Sequence, residues 1–467
     1  MRKEQMSCLS YAMKNQWRQA IGLITSRGMR MSQMQRARIT GRRRVVSIVA
    51  TAAASVLLIA GCSSSSDTTD AATSETAAAS ESAAVEEAPA ELSGEPVKTM
   101  TITDINSPGA VYPNIHISAD AAQEYINATG GINGRPLEVI NCDSQGTADG
   151  AATCARQATT DGVVAVVGSF NFSPDAMIEV LEPAGIAYFG ECCALGAKEN
   201  TSKAAFPFGS IQMYGVGEVK KALEDGCTNI KALIIEGAES FWPPMQEAAA
   251  RLGASDKLNA EYVVQPGTVQ DQSAQVAQLL EGGTDCVVSV TSETPLTAFM
   301  VAWDAAQPTA KFYGPQGNLN KISAAGHEEI LEGSTVVGIY PDIACPVWDD
   351  YRASLDAIGA DPAQDYNSLG GLGTWTAYMG FRQVAETVEP ADTLDAATFM
   401  MAASTAKIDL PGMLPPLDFT QEWTAYPGLA RMVNQSVVYS QIQNGDVVPL
   451  GECGVFDDVA GLVEAQS

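Results

Sequence analysis

The sequence predicts an α/β protein built from two doubly wound, Rossmann-like lobes. Short apolar runs alternate with helix-patterned segments from about residue 99 to 190, and the same alternation returns from 230 to 314. About 370 residues follow a basic, apolar leader and a low-complexity stretch, a length that suits two cores rather than one.

Thr99 to Ile105 alternates and reads as a first strand, broken by Ser107-Pro108-Gly109. Ile117, Ala121 and Tyr125 recur every four residues on a helix closed by Gly130-Gly131. Leu137 to Ile140 forms the second strand and Ala148 to Ala158 the second helix. "VVAVVG" (Val163 to Gly168) is continuously apolar, as in a parallel strand buried on both faces. Ser173-Pro174-Asp175 supplies the N-cap, N1 proline and acidic first turn of a third helix, and "IAYFG" (Ile186 to Gly190) follows as a strand. The second set comprises "IKALIIEG" (Ile230 to Gly237), a helix from Pro244 to Leu252, "AEYVVQ", a helix from Gln272 to Leu280, "CVVSVT" and "AKFYG". Two such lobes in tandem place a ligand between the carboxyl ends of their sheets.

The leader reads as an export signal. Arg42, Arg43 and Arg44 precede Val45 to Ala60, an almost uncharged run shorter than the roughly twenty residues of a membrane span. Arg42-Arg43 before Val45-Val46 loosely resembles a twin-arginine signal, so both export routes stay open. Met29, Met31 and Met34 are alternative starts, which would leave residues 1–28 untranslated. Ile59-Ala60-Gly61-Cys62 resembles the lipobox of bacterial lipoproteins, which implies a signal peptide over 1–61 and lipid on Cys62. Residues 62–96, rich in Ser, Ala, Thr and Glu, bury too little to order themselves and are expected to act as a tether.

Residues 1–61 hold eleven of the 27 basic residues and one of the 55 acidic ones, so the remainder carries a net charge of about −38. Such a field repels phosphate backbones and argues against nucleic-acid partners. With two histidines, His116 and His327, and no Cys-x-x-Cys spacing, neither metal nor cofactor is expected.

"GGINGRPLEVINCDSQGTADGAATCARQATTDGVVAVVGS" (Gly130 to Ser169) resembles the first lobe of leucine/isoleucine/valine-type periplasmic binding proteins. "FYGPQGNLN" (Phe312 to Asn320), "TWTAYMGF" (Thr374 to Phe381) and "LPGMLPPLDFT" (Leu410 to Thr420) agree in order and spacing, so the resemblance spans nearly all of Val97 to Leu450. It implies the type 1 periplasmic-binding fold with a three-segment hinge. The implied lobes are 97–212 with 340–422, and 213–339 with 423–467.

Eight cysteines follow Cys62 in a chain expected to leave the cytoplasm, so disulfides are the default. Cys142 and Cys154 share one β-α unit and are expected to pair. Cys227 and Cys286 fall on strands that neighbour in a 2-1-3 order. Cys345 and Cys453 pair by elimination. Cys192 and Cys193 either form a vicinal disulfide or remain two thiols.

The resemblance also implies ligand positions, and several depart from the family pattern. Tyr112 matches an aromatic wall. Phe170, Asn171, Phe172 and Ser173 stand where the family has a serine-rich loop, with Phe172 at the carboxylate-binding serine and Ser173 capping the helix. Cys193, beside Glu191 and Cys192, falls at a threonine. Phe241 and Glu293 fall at aromatic positions, with Trp242 adjacent, and Gly373 replaces a bulky wall. Gln316 occupies the acidic residue that meets an ammonium. A charged hydrogen bond contributes roughly 1.5–3 kcal/mol against about 1 for a neutral one, so the exchange lowers amino-acid affinity about tenfold. Weak leucine binding is expected, with a gain on Gln316→Glu, unless Glu191 or Glu293 supplies the charge within an aromatic cage.

These readings converge on a lipid-anchored solute receptor outside the cytoplasm, in the periplasm or cell envelope. It would act as a monomer and deliver a small amphipathic solute (amino acid, amide, amine or related acid) to an ABC permease, touching the membrane through the lipid alone. The alternative is a sensing module serving a separate membrane signalling protein. An enzyme is disfavoured: no nucleophile elbow, P-loop or metal-ligand cluster is present.

Overall fold

Five short strands make the first sheet: β1 (Val97–Thr103), β2 (Leu137–Asp143), β3 (Ala165–Val167), β4 (Ala187–Phe189) and β5 (Ala205–Phe206). All run parallel in the order β2-β1-β3-β4-β5, with Val97 opposite Leu137 and Thr99 opposite Ala165. The computed structural model describes residues 91–463 apart from 108, 109, 269 and 427. The leader, Cys62 and the tether up to residue 90 lie outside the described residues, as do Pro108 and Gly109 of the expected strand break.

Helices α1 (Pro113–Ala128), α2 (Ala148–Asp161) and α3 (Pro174–Ala184) connect these strands. Ile115, Ala119, Ala122 and Ile126 give α1 one buried stripe. Pro113 opens it at a position where a missing N–H costs nothing. Helix α2 runs three residues beyond Ala158 and stops where Gly162 turns left-handed at φ +67°. β3 is wholly buried, and each buried valine contributes about 1.5–3 kcal/mol of apolar transfer as an upper estimate.

The second sheet repeats the arrangement. It contains α4 (Gln212–Glu224), β6 (Ile230–Ile235), α5 (Trp242–Arg251), β7 (Val263–Gln265), α6 (Ser273–Leu280), β8 (Cys286–Val290), α7 (Glu293–Ala306), β9 (Lys311–Pro315), α8 (Glu328–Leu331) and β10 (Thr335–Gly338). Its parallel part has the order β7-β6-β8-β9-β10. The expected helix start at Pro244 is corrected to Trp242. Pro243 and Pro244 fit inside the first turn, where N–H groups have no helical partner. Gln272 caps α6 rather than opening it.

After β10 the chain forms α9 (Asp349–Ala357), α10 (Leu369–Ala385), α11 (Ala396–Ser404) and a small ladder of β11 (Lys407–Ile408) and β12 (Leu417–Asp418). Both α9 and α10 pack on α1, beside the first sheet. The chain then returns as β13 (Ser436–Gln443), antiparallel to β10, followed by β14 (Asp446–Pro449) and β15 (Asp457–Asp458), both paired with β13. The chain therefore passes between the two sheets three times, after β5, after β10 and after β12.

Four disulfides join Cys142 to Cys154, Cys227 to Cys286, Cys345 to Cys453 and Cys192 to Cys193. The alternative of two free thiols at 192 and 193 thus gives way to a vicinal bond. Cys286 lies opposite Ile230 in the β6–β8 ladder, close to Cys227. The Cys345–Cys453 bridge ties the second crossing to the C-terminal segment.

Candidate functional site

Glycines end two strands of the first sheet and let α10 close over them. A side chain at Gly168 (φ +60°) would lie 3.0 Å from Thr374, and one at Gly190 (φ +75°) only 2.4 Å from Ala377 Cβ. Thr374 Oγ1 donates to the Gly168 carbonyl at 2.7 Å. The carboxyl ends of β1, β3 and β4 thereby share one edge: Asp104 leads to Tyr112, Ser169 leads to Ser173, and Glu191 leads to Cys193.

Along this edge several hydrogen-bond donors are used internally. Buried Asp104 accepts Ser144 Oγ at 2.5 Å, the Gly146 N–H at 3.0 Å and the Phe172 N–H at 3.3 Å. Asn171, only 1% exposed, accepts the Ser173 N–H at 2.9 Å. Ser173 occupies the N-cap of α3, but its hydroxyl makes no capping bond, which corrects the expected role. Asn171 takes the N–H of Ser173 itself, so the first-turn N–H groups of α3 are left without a side-chain cap. Ser169 Oγ accepts the Ile102 N–H, and Tyr188 donates to the Ser169 carbonyl.

Three aromatics gather here. Tyr112 lies edge-on to Phe170 at 5.1 Å and 6.0 Å from Phe172, and Phe170 is 5.7 Å from Phe172. Phe172 remains 49% exposed. Burial, followed by the charges of Asp104 and Glu293, pushes the Tyr112 hydroxyl well above its ordinary pKa, so it stays a neutral phenol.

Glu191 is 1% exposed, and neither of its carboxyl oxygens has a hydrogen-bond partner. Burial and then the charge of Glu199 raise its pKa well above the usual carboxylate range, while its own N–H and Arg431 oppose the shift. Glu199 accepts the N–H groups of Leu195 and Gly196, so it holds charge more easily and leaves the proton on Glu191. Arg431 Nε donates to the Ala205 carbonyl, and the guanidinium sits 5.0 Å over Phe206.

Two tyrosines follow in turn, Tyr340 near Glu191 and Tyr214 near Tyr340. The Tyr340 hydroxyl has no hydrogen-bond partner, and its pKa is raised by burial and then by Glu191. The Tyr214 hydroxyl is likewise unpartnered and feels Tyr340. A side chain at Gly373 would meet Cys192 Cβ at 2.7 Å and the Tyr340 hydroxyl at 3.2 Å, so α10 packs closely against both at this glycine.

From the second sheet come Phe241, Trp242, Glu293 and Gln316. Phe241 and Trp242 are buried in the core, with Trp242 against Tyr262 at 5.5 Å. Glu293 accepts Asn320 Nδ2 at 2.6 Å, and the same nitrogen lies 3.2 Å from Asp365 Oδ2. Burial raises both carboxyls, Asp365 to about 6. Gln316 is placed differently from the expectation. Nε2 donates to the Tyr340 carbonyl at 2.9 Å and Oε1 accepts the Tyr340 N–H at 3.3 Å, so its amide serves the crossing between sheets.

The structure thus brings Tyr112, Phe170 and Phe172 together, and places Glu191, Cys192 and Cys193 beside Tyr340. Tyr214, Tyr340, Asn320 and Asp365 were missed by sequence reasoning. Asn320 lay within the quoted "FYGPQGNLN", whereas no local pattern marks the tyrosines. For a metal, the described residues bring together Cys227, Asp285 and Cys286. The two sulfurs are joined and Asp285 accepts the N–H groups of Thr228 and Asn229, which leaves no thiolate as a ligand.

A family model described as "Periplasmic binding protein" matches residues 96–434. No curated protein matches the sequence. Among solved structures, a possible leucine/isoleucine/valine-binding protein from Rhodopirellula baltica is 14% identical, with 78% of this chain and 98% of that chain covered at a TM-score of 0.63. A solute-binding protein of an ABC transporter from R. palustris, in complex with benzoate, is 16% identical with 78% and 99% covered at 0.60. A fatty acid ABC transporter substrate-binding protein from Thermomonospora curvata is 16% identical with 80% and 96% covered at 0.62. At these identities the likeness establishes the fold.

Proposed function

The chain belongs to the periplasmic binding protein family, whose members bind solutes outside the cytoplasm rather than catalyse reactions, and on that premise we propose that it is the lipid-anchored receptor of an ABC importer. Cys62 carries the lipid, the acidic segment after it is the tether, and the protein acts as a monomer. A small amphipathic solute binds between the two sheets and passes to the permease.

The observation that carries this reading is the buried, unpartnered Glu191 at the carboxyl edge of the first sheet, beside a hinge tyrosine from the crossing after β10. A buried carboxyl without a partner is costly unless something else completes it. The neighbours' names mention benzoate, fatty acid and leucine/isoleucine/valine, so one fold serves unlike solutes and the ligand follows from the site.

A thermal-shift screen of ligand-stripped protein tests the proposal. A solute at about a thousand times its Kd adds roughly 4 kcal/mol and raises Tm by several degrees. Amines, amides, amino acids and acids form the panel. A shift with at least one class is expected, and a flat response to all of them argues against a receptor.

A further inference from the structure

Asn320 stands where the two sides of the molecule meet. It follows β9 of the second sheet and is only 2% exposed. Its Oδ1 accepts the Ile322 and Ser323 N–H groups at 2.8 and 3.0 Å, which fixes the orientation of the amide. Nδ2 then faces three acceptors: Glu293 Oε2 at 2.6 Å, the Gly317 carbonyl at 3.0 Å and Asp365 Oδ2 at 3.2 Å. Glu293 opens α7 and Gly317 belongs to the turn after β9, so both go with the second sheet. Asp365 goes with the first. Its carbonyl accepts Asn114 Nδ2 of α1, and the same nitrogen reaches Ser368 Oγ at the start of α10. The two sides are close here: a side chain added at Gly317 would lie 3.3 Å from the Leu369 nitrogen.

An amide nitrogen carries two hydrogens. With the two sides apart, Glu293 and the Gly317 carbonyl use both. Joining the sides brings a third acceptor, which is a second carboxyl, and no hydrogen for it. A proton on one of the two carboxyls supplies the missing hydrogen and removes the like-charge repulsion. We propose that a proton shared by Glu293 and Asp365 latches the turn at 317–320 to the loop at 365–369, so that the two sides join more readily in mild acid than at neutral pH.

Asp365 faces Glu293, Lys321 and Tyr351, with Tyr366 beside Tyr351, and Glu293 faces Tyr112. Of these only Lys321 is cationic, and it is exposed. Burial lifts the Asp365 carboxyl to about 6, with the Asn367 N–H, Lys321 and Asn320 opposing and Glu293 adding. Apart from Glu293 and in water, an aspartate returns toward about 4. A pKa raised in the joined arrangement means that the latch is fully present below about 4 and is lost as pH rises through about 6.

The test is hydrogen exchange of the exported, solute-free protein at pH 5 and pH 7, with each amide corrected for its intrinsic rate. Segments 316–323 and 365–369 should be about tenfold better protected at pH 5. Asp365→Asn carries a permanent hydrogen on that side and should remove the difference, with high protection at both pH values. Equal protection of the unmodified protein at pH 5 and 7 overturns the inference. So does a pH difference that survives Asp365→Asn, because the proton then sits on another acid. Carbon-13 titration of the Asp365 carboxyl in the unmodified protein needs no variant to fold. A midpoint near 6 that falls in Glu293→Gln supports the shared proton, and a midpoint below about 4.5 overturns it. Neither measurement uses a solute, so failure of the latch leaves the receptor reading standing, and a flat solute screen leaves the latch standing.

Discussion

Gln316 and Tyr340 are bonded twice, side-chain amide to backbone, at 2.9 and 3.3 Å. The pair fastens the turn after β9 to the crossing that follows β10, so the residue aligned with an ammonium-binding acid instead holds a hinge segment in place.

Gln316→Glu removes the donor to the Tyr340 carbonyl and leaves that buried acceptor unpaired. A loss of about 1–3 kcal/mol in urea unfolding is expected, without gain in leucine affinity. Leucine binding gained at unchanged stability would restore the role the sequence suggested.

Gly373→Ala tests the close packing of α10 against Cys192 and Tyr340. In a helix interior the exchange ordinarily adds about 1 kcal/mol of stability. Here the new methyl meets Cys192, which the bond to Cys193 prevents from swinging away. Overpacking of about 1–3 kcal/mol should dominate, seen as a lowered urea midpoint. A raised midpoint would mean that the loop at 192 yields.

Removing the Cys345–Cys453 bridge by a double alanine variant opens a loop of 108 residues. Chain entropy predicts a loss of about 4–5 kcal/mol, measured by denaturant unfolding with the other bridges intact. A loss below about 1 kcal/mol would show that the β13–β14 hairpin holds the C-terminal segment unaided.

Glu218 on α4 is fully buried. One oxygen accepts the Ser289 N–H at 2.6 Å and the other has no partner. Burial raises its pKa well above the ordinary value, and the Ser289 N–H opposes the shift. A folded pKa above the unfolded one means stability fully present below the unfolded pKa and lost as pH rises toward the folded value, at about 1.4 kcal/mol per pH unit for one group. Glu218→Gln should flatten that part of the profile of unfolding free energy against pH. An unchanged slope would place the proton elsewhere.

Much of the scaffold was legible because its signals are local. Apolar runs such as Val163 to Gly168 and the proline-led start at Ser173-Pro174 mark buried strands and helix starts wherever they occur. Strand ends were overstated because Gly168 and Gly190 are apolar in composition yet serve the close approach of α10, a contact 180 residues or more away in sequence. The site was harder to read for the same reason. Gln316 reads as a ligand group in "GPQG", and only the fold brings Tyr340 to its amide. Tyr214 and Tyr340 carry no motif. Glu191 stood out as an acid beside two cysteines, but its lack of partners is a property of the folded chain that no local pattern marks.

The most direct test of the central claim, that a solute binds between the two sheets, is hydrogen exchange by mass spectrometry with and without a compound that raises Tm. The account predicts slowed exchange in segments on both sides: 104–112, 168–173 and 190–193 of the first, and 236–241, 291–293 and 316–320 of the second. Protection confined to one side, or to a surface remote from these segments, would contradict it.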